Sequence, residues 1–173
     1  ERGMLAVDGH VGFDQQMFKD GPLFSDIPML ELLITKKCNL GCAYCFAEDR
    51  QGRLDMNIGT AVKAIDRFFE FPAQHFYVKF SGGEPLLRRD LLDEICGYTV
   101  STFQRVKKNG FLLFEITTNG TLIDRDTIDI FKQYNMRVLV SLDGPEHLHN
   151  AARPYKSGGA TFKEVLKGVR LMQ

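Results

Sequence analysis

Short apolar runs alternate with amphipathic stretches along most of this chain. Met29–Ile34 has strand length and leads into a polar, cysteine-bearing stretch. Asn57 then stands as a helix N-cap before Ile58, Val62, Ile65 and Phe69 at helical spacing, and Pro72 stops the pattern. His75–Phe80 is a second strand. Asp90 is placed to cap a long helix with Leu92, Ile95, Cys96, Thr99, Phe103 and Val106 on one face, closed by Asn109-Gly110 in a left-handed cap. Phe111–Ile116 is a third strand, residues 126–134 a short helix, and Arg137–Val140 a fourth strand. After a looser segment with Pro154 and Gly158-Gly159, Thr161-Phe162-Lys163-Glu164 reads as a capping box. The helix it opens has Phe162, Val165, Leu166 and Val169 on its apolar side.

Strand and helix in strict alternation predict an α/β fold built from parallel β/α units. Four units occupy residues 29–173. Residues 1–28 are a separate N-terminal segment, in which Asp8-Gly9 between 4–7 and 10–13 favours a hairpin. Each strand ends in a polar, glycine-bearing motif: the cysteine stretch, Ser81-Gly82-Gly83-Glu84-Pro85, Thr117-Thr118-Asn119-Gly120-Thr121 and Ser141-Leu142-Asp143-Gly144-Pro145. In α/β barrels the active site lies at that end of the strands, so motifs far apart in sequence converge in space. Each strand also carries one charge, in alternating sign: Glu31, Lys79, Glu115 and Arg137. A lone charge in a covered sheet is costly. Lys79 and Glu115 are therefore expected to pair on the inner face.

Composition narrows the classes. The chain has 22 basic and 22 acidic residues, a net charge of zero. That gives no electrostatic footprint for nucleic acid or an anionic membrane. No apolar run has the length of a membrane span, and no signal-peptide pattern opens the chain. Four cysteines, three within one short stretch, do not form a disulfide framework, which fits a reducing cytoplasm.

Those three are Cys38, Cys42 and Cys45, spaced C-x3-C-x2-C with Tyr44 before the last. Thiolates suit iron–sulfur clusters, zinc and copper(I). Three ligands leave a metal centre one position short of the four of a structural site, and an open position is what a catalytic centre needs. Cys96 or a histidine completing a tetrahedral zinc site is the alternative. Cys96, however, falls on the apolar stripe of its helix and reads as core. His147 and His149, two apart in a polar stretch, read as a solvated loop.

The cysteine stretch resembles the cluster-binding loop of radical S-adenosylmethionine (SAM) enzymes, and Gly82-Gly83-Glu84-Pro85 matches that family's "GGEP" motif letter for letter. The resemblance implies a partial (β/α)6 TIM-like barrel, of which the first four units are present. With Glu1 in place of an initiator Met, it also implies a longer parent protein. It implies a [4Fe–4S] cluster on Cys38, Cys42 and Cys45, with SAM on the fourth iron and reductive formation of a 5′-deoxyadenosyl radical. Gly82, Gly83 and Glu84 would hold the SAM amino group. Thr118, Asn119, Ser141 and Asp143 would reach its ribose or carboxylate, Tyr44 would lie near its adenine, and Arg153 would pair with its carboxylate. Turn chemistry, loop packing and a surface arginine are the structural alternatives for these residues. Ser141–Met172 further resembles the SPASM and twitch subgroup, which modifies peptides and proteins. A peptide or protein substrate and a flavodoxin or ferredoxin electron donor follow as expectations. A small-molecule substrate and a zinc-stabilised binding module without catalysis are the other two readings.

Overall fold

A computed structural model describes residues 27–45, 55–106 and 110–173. The predicted hairpin in 1–28 and the Asn109 cap lie outside these residues. Four strands, β1 (Met29–Thr35), β2 (Phe76–Gly82), β3 (Leu112–Thr118) and β4 (Arg137–Val140), form one parallel sheet in the order β1-β2-β3-β4. Helices α1 (Ile58–Phe68), α2 (Arg89–Val106) and α3 (Arg125–Gln133) make the crossovers. Two shorter helices, α4 (Glu146–Ala152) and α5 (Phe162–Leu171), follow β4. This is an α/β partial barrel of the expected kind, and the expected β/α units are all formed.

The pleat sorts each strand. Phe76, Val78 and Phe80 of β2 and Phe114 and Ile116 of β3 are buried with Ile34, Ile65, Leu92, Ile95 and Cys96 in one core. The intervening residues face the barrel interior. Register puts Glu31 beside Lys79, Lys79 beside Glu115 and Glu115 beside Arg137, one row of alternating charge across all four strands. The shared face is as expected, but the ion pairs are not. Lys79 Nζ meets Glu31 Oε1 at 3.5 Å, and Arg137 meets Glu115 Oε2 at 3.6 Å. Glu115 also accepts the Tyr77 hydroxyl. With two donors already on its carboxylate, Glu115 leaves Lys79 to the more accessible Glu31.

Helix starts show how local signals compete. Asn57 caps α1 as expected, accepting the Gly59 N–H at 2.8 Å. Asp90 does not cap α2. Pro85 fixes the dihedral of a 3-10 turn, Pro85–Arg88, that runs straight into the helix, so Glu84 takes the cap position and Asp90 falls inside the first turn. At α5 the capping box does not form. Asn150 Oδ1 accepts both the Thr161 and Phe162 N–H groups at 2.9 Å, while the Thr161 hydroxyl donates to the Arg153 carbonyl at 2.6 Å. A cap supplied from α4 thus displaces the local one. The segment read as loose contains α4, and His149 is wholly buried on it rather than solvated. Among the described residues no helix is long and apolar enough to cross a membrane.

Candidate functional site

The cysteine loop is set on its base by β2. The Gly83 N–H donates to the Thr35 carbonyl and the Glu84 N–H to the Lys37 carbonyl, each at 2.8 Å. A Cβ on Gly82, at φ +140°, would lie 2.2 Å from the Thr35 oxygen; one on Gly83 would lie 2.2 Å from the Lys37 oxygen. Two consecutive glycines are therefore required by the approach of β2 to the root of the loop, whatever else the motif binds. Thr35 and Lys37 also engage Asp55, at 2.7 and 2.9 Å, and Arg88 joins Asp55 at 3.2 Å.

The top of the loop is held by the chain after α4. Gly41 N–H donates to Pro154 O, Ala43 N–H to Ala152 O and Lys156 N–H to Asn39 O, with Leu40 and Tyr155 bridged antiparallel. Residues 39–43 and 152–156 so form a small ribbon, braced in turn by Asn150 and Thr161. No periodic pattern marks it, because the partners are irregular and separated by three β/α units.

Glu84 is wholly buried. Its Oε1 accepts the Leu86 N–H at 3.0 Å and the Thr118 hydroxyl at 2.7 Å; its Oε2 accepts the Asn119 N–H at 2.7 Å. Burial pushes its carboxyl up, and these three donors partly offset that. Within the fold Glu84 is a strut between the loops after β2 and β3. Thr118, which also accepts the Gly120 N–H at 3.1 Å, is likewise committed. Asn119 turns its amide to the cysteine loop: Nδ2 is 2.8 Å from Asn39 Oδ1 and 3.8 Å from Cys38 Sγ. The Leu40 N–H reaches the same sulfur at 3.4 Å.

Across the loop, Asp143 accepts the Tyr44 hydroxyl and faces Arg153 Nε at 3.0 Å, and the Arg153 guanidinium lies 5.3 Å from the centre of the Tyr44 ring. Burial acts to raise the Asp143 carboxyl, but Tyr44 and Arg153 outweigh it and hold it below the usual range. The Tyr44 hydroxyl is pushed up to about 12 by burial and by Asp143. His149 Nδ1 accepts the Asp143 N–H at 3.2 Å, which fixes the β4 end against α4. Ser141 joins through its backbone, donating to the Thr118 carbonyl at 2.9 Å. All the motif residues named from sequence therefore gather at the C-terminal ends of the strands. Asn39, Thr121 and His149 are the additions. Asn39 and Thr121 lie inside the cysteine stretch and the motif that ends β3, so their short polar side chains are the available signal.

Cys38 and Cys42 are half-buried and Cys45 is exposed. Burial pushes the Cys38 and Cys42 thiols up, while Arg153 opposes this at Cys42 and the Leu40 N–H opposes it at Cys38. Among the described residues no three Cys, His, Asp or Glu side chains gather around the position of a single metal ion. Cys96 lies in the core behind the sheet.

The Radical SAM superfamily matches residues 32–173. The chain belongs to that superfamily. An uncharacterised protein of Methanocaldococcus jannaschii is 34% identical over 83% of this chain and 48% of its own length. A cysteine-type anaerobic sulfatase-maturating enzyme of Clostridium novyi is 29% identical over 84% of this chain and 40% of its own. Proteins named probable GTP 3′,8-cyclase from Methanococcus species match at 34–36%. Among solved structures, native anSMEcpe with bound AdoMet and the Kp18Cys peptide superposes with TM-score 0.74 at 26% identity, over 84% of this chain and 40% of that one. The chain spans about half or less of the length of the curated relatives it matches.

The superfamily uses a [4Fe–4S] cluster and SAM. The residues present fit that cluster: three thiols on one braced loop, and two N–H donors aimed at the first sulfur.

Proposed function

We propose that the protein carrying this chain cleaves SAM reductively and abstracts hydrogen from a peptide or protein substrate. The gathering of the three-cysteine loop with the ends of β2, β3 and β4 carries the reading. Cys38, Cys42 and Cys45 would hold the cluster. The cluster would supply the electron for reductive cleavage of SAM to methionine, and the 5′-deoxyadenosyl group so released would leave as 5′-deoxyadenosine with a hydrogen atom from the substrate. The chain's own residues position these groups. The Gly82-Gly83 stretch would hold the SAM amino group, with Glu84 fixing that stretch from behind. Arg153 offers its charge to the carboxylate, Ser141 and Asp143 offer acceptors to the ribose, and Tyr44 packs over the adenine side. A flavodoxin or ferredoxin of the reducing cytoplasm is the electron source.

The peptide class is supported by the sulfatase-maturating relative and by the neighbour solved with a bound peptide. The relatives named as GTP cyclases favour a small molecule as the second reading. Anaerobic full-length protein should bind about four irons at this loop and release 5′-deoxyadenosine from SAM on reduction. Alanine at Cys38, Cys42 or Cys45 should abolish both, and alanine at Cys96 should spare them. Deuterium passing from a labelled peptide into 5′-deoxyadenosine would establish the substrate class. Zinc in place of iron would reject the reading.

A further inference from the structure

The side chain of Asn119 has only one consistent orientation. The Thr121 backbone N–H, which can only donate, lies 3.0 Å from Asn119 Oδ1, so that end of the amide must be the oxygen. The Thr121 hydroxyl donates to the same oxygen at 2.7 Å and itself accepts from Asn39 Nδ2 at 2.8 Å. Asn39 Oδ1 then accepts one N–H of Asn119 Nδ2 at 2.8 Å. The ring Asn119–Asn39–Thr121 is closed, and of the Asn119 amide one N–H remains. It faces Cys38 Sγ at 3.8 Å, within the longer reach of a sulfur acceptor. Asn119 is buried, and its backbone N–H is anchored on Glu84 Oε2.

We propose that Asn119 is a positioning residue of the cluster: its amide donates to the Cys38 sulfur and raises the reduction potential of the cluster that sulfur holds. Hydrogen bonds to thiolate sulfur withdraw electron density and favour the reduced form, and they are among the levers that set cluster potentials. The Leu40 N–H supplies one such bond from the loop itself; Asn119 supplies a second from β3, by way of the "GGEP" carboxylate. The loop that meets SAM and the sulfur that meets iron are thus two hydrogen bonds apart, through Glu84 and Asn119. The inference rests on the assignment of Cys38 as a cluster ligand. With that bond made, the Asn119 side chain has no donor or acceptor direction left for SAM.

The test is a potentiometric titration of the reconstituted full-length protein, following the electron paramagnetic resonance signal that SAM perturbs. N119L keeps the size of the side chain and removes the donor. Its cluster should keep the wild-type iron content, bind SAM within about twofold of wild type, and titrate at a more negative potential. An unchanged potential in an intact N119L cluster overturns the proposal, as does a large loss of SAM affinity at unchanged potential. If N119L loses its cluster, wild-type protein labelled with 15N-asparagine decides. The reduced, SAM-free cluster should show a 15N coupling, and its absence overturns the proposal. A C38A variant that kept the whole cluster would instead reject the ligand assignment.

Discussion

Glu84 Oε2 stands 2.7 Å from the backbone nitrogen of Asn119, so one buried carboxylate ties the loop after β2 to the loop after β3. Removing it with Glu84→Ala leaves the Leu86 N–H, the Thr118 hydroxyl and the Asn119 N–H without their acceptor in a dry environment. Each orphaned group costs about 1–3 kcal/mol. A total loss of about 3 kcal/mol or more, with weakened cluster retention and weakened SAM binding together, is expected in denaturant unfolding and iron assays. A variant that lost SAM affinity while keeping full stability would restore the simpler role of a direct ligand. Glu84→Gln should fall between, because its amide nitrogen must face either the Asn119 N–H or the Leu86 N–H.

Gly83→Ala tests the root of the loop. Its Cβ would lie 2.2 Å from the Lys37 carbonyl oxygen and 2.6 Å from its carbon, both backbone, so no side chain can turn aside to make room. Overpacking of this kind costs about 1–3 kcal/mol. The larger effect should be on the cysteine loop, which must shift. Iron content after anaerobic reconstitution should fall well below wild type even where circular dichroism shows an intact fold. Gly144→Ala, with nothing within 4 Å of the added carbon but a φ of +77°, should cost only backbone strain and keep the cluster.

A third expectation concerns acid. Asp124 caps α3, accepting the Thr127 N–H at 2.9 Å and its hydroxyl at 2.7 Å, and pairs with Arg89. The Thr127 hydroxyl first, then the Thr127 N–H and Arg89, hold its carboxyl at about 2. Folded below unfolded means that the ionised form favours the native state. The stabilisation is therefore complete above the unfolded value of about 4 and is lost as pH falls from there through 2. Asp124→Ala should cost about 1 kcal/mol near neutrality, and the gap to wild type should close below pH 4. A gap that held constant down to pH 2 would mean the cap is not the source.

Much of this is legible in the sequence. The four strands and their crossover helices followed from periodicity, and the "GGEP" and cysteine stretches announced the site because chemistry restricts their residues. Which atoms those residues engage was not legible. Glu84 and Asn119 carry side chains suited to a ligand, and whether they meet a ligand or each other depends on how far β2 and β3 extend, since only the first residues of each motif lie within the strands. Asn150 capping α5 in place of Thr161 is a contact across a turn that no local pattern encodes. Nor does spacing reveal the ribbon between 39–43 and 152–156, whose pairing runs through backbone groups that every residue possesses. In the same way, the alternation of Glu31, Lys79, Glu115 and Arg137 showed a shared row, but not the division of that row into pairs.

That division yields the last prediction. Glu31–Lys79 and Glu115–Arg137 are the ion pairs, whereas Lys79 and Glu115 are neighbours in register without one. Glu115 is the most buried of the four, with a side chain only 10% exposed, and the Tyr77 hydroxyl shares its carboxylate. Glu115→Ala should therefore be the costliest single change in the row, because it removes the buried acceptor that Tyr77 and Arg137 share. Arg137 is half exposed and Lys79 and Glu31 partly so, and water screens their charges, so coupling across either pair should be modest, about 0.5–1 kcal/mol. Double-mutant cycles with alanine at Glu115 and Arg137, at Lys79 and Glu31, and at Lys79 and Glu115 separate the arrangements. The first two cycles should each return a coupling larger than the third. If the Lys79–Glu115 cycle gave the largest value, the row would be paired at its centre, and Arg137 and Glu31 would be solvated ends.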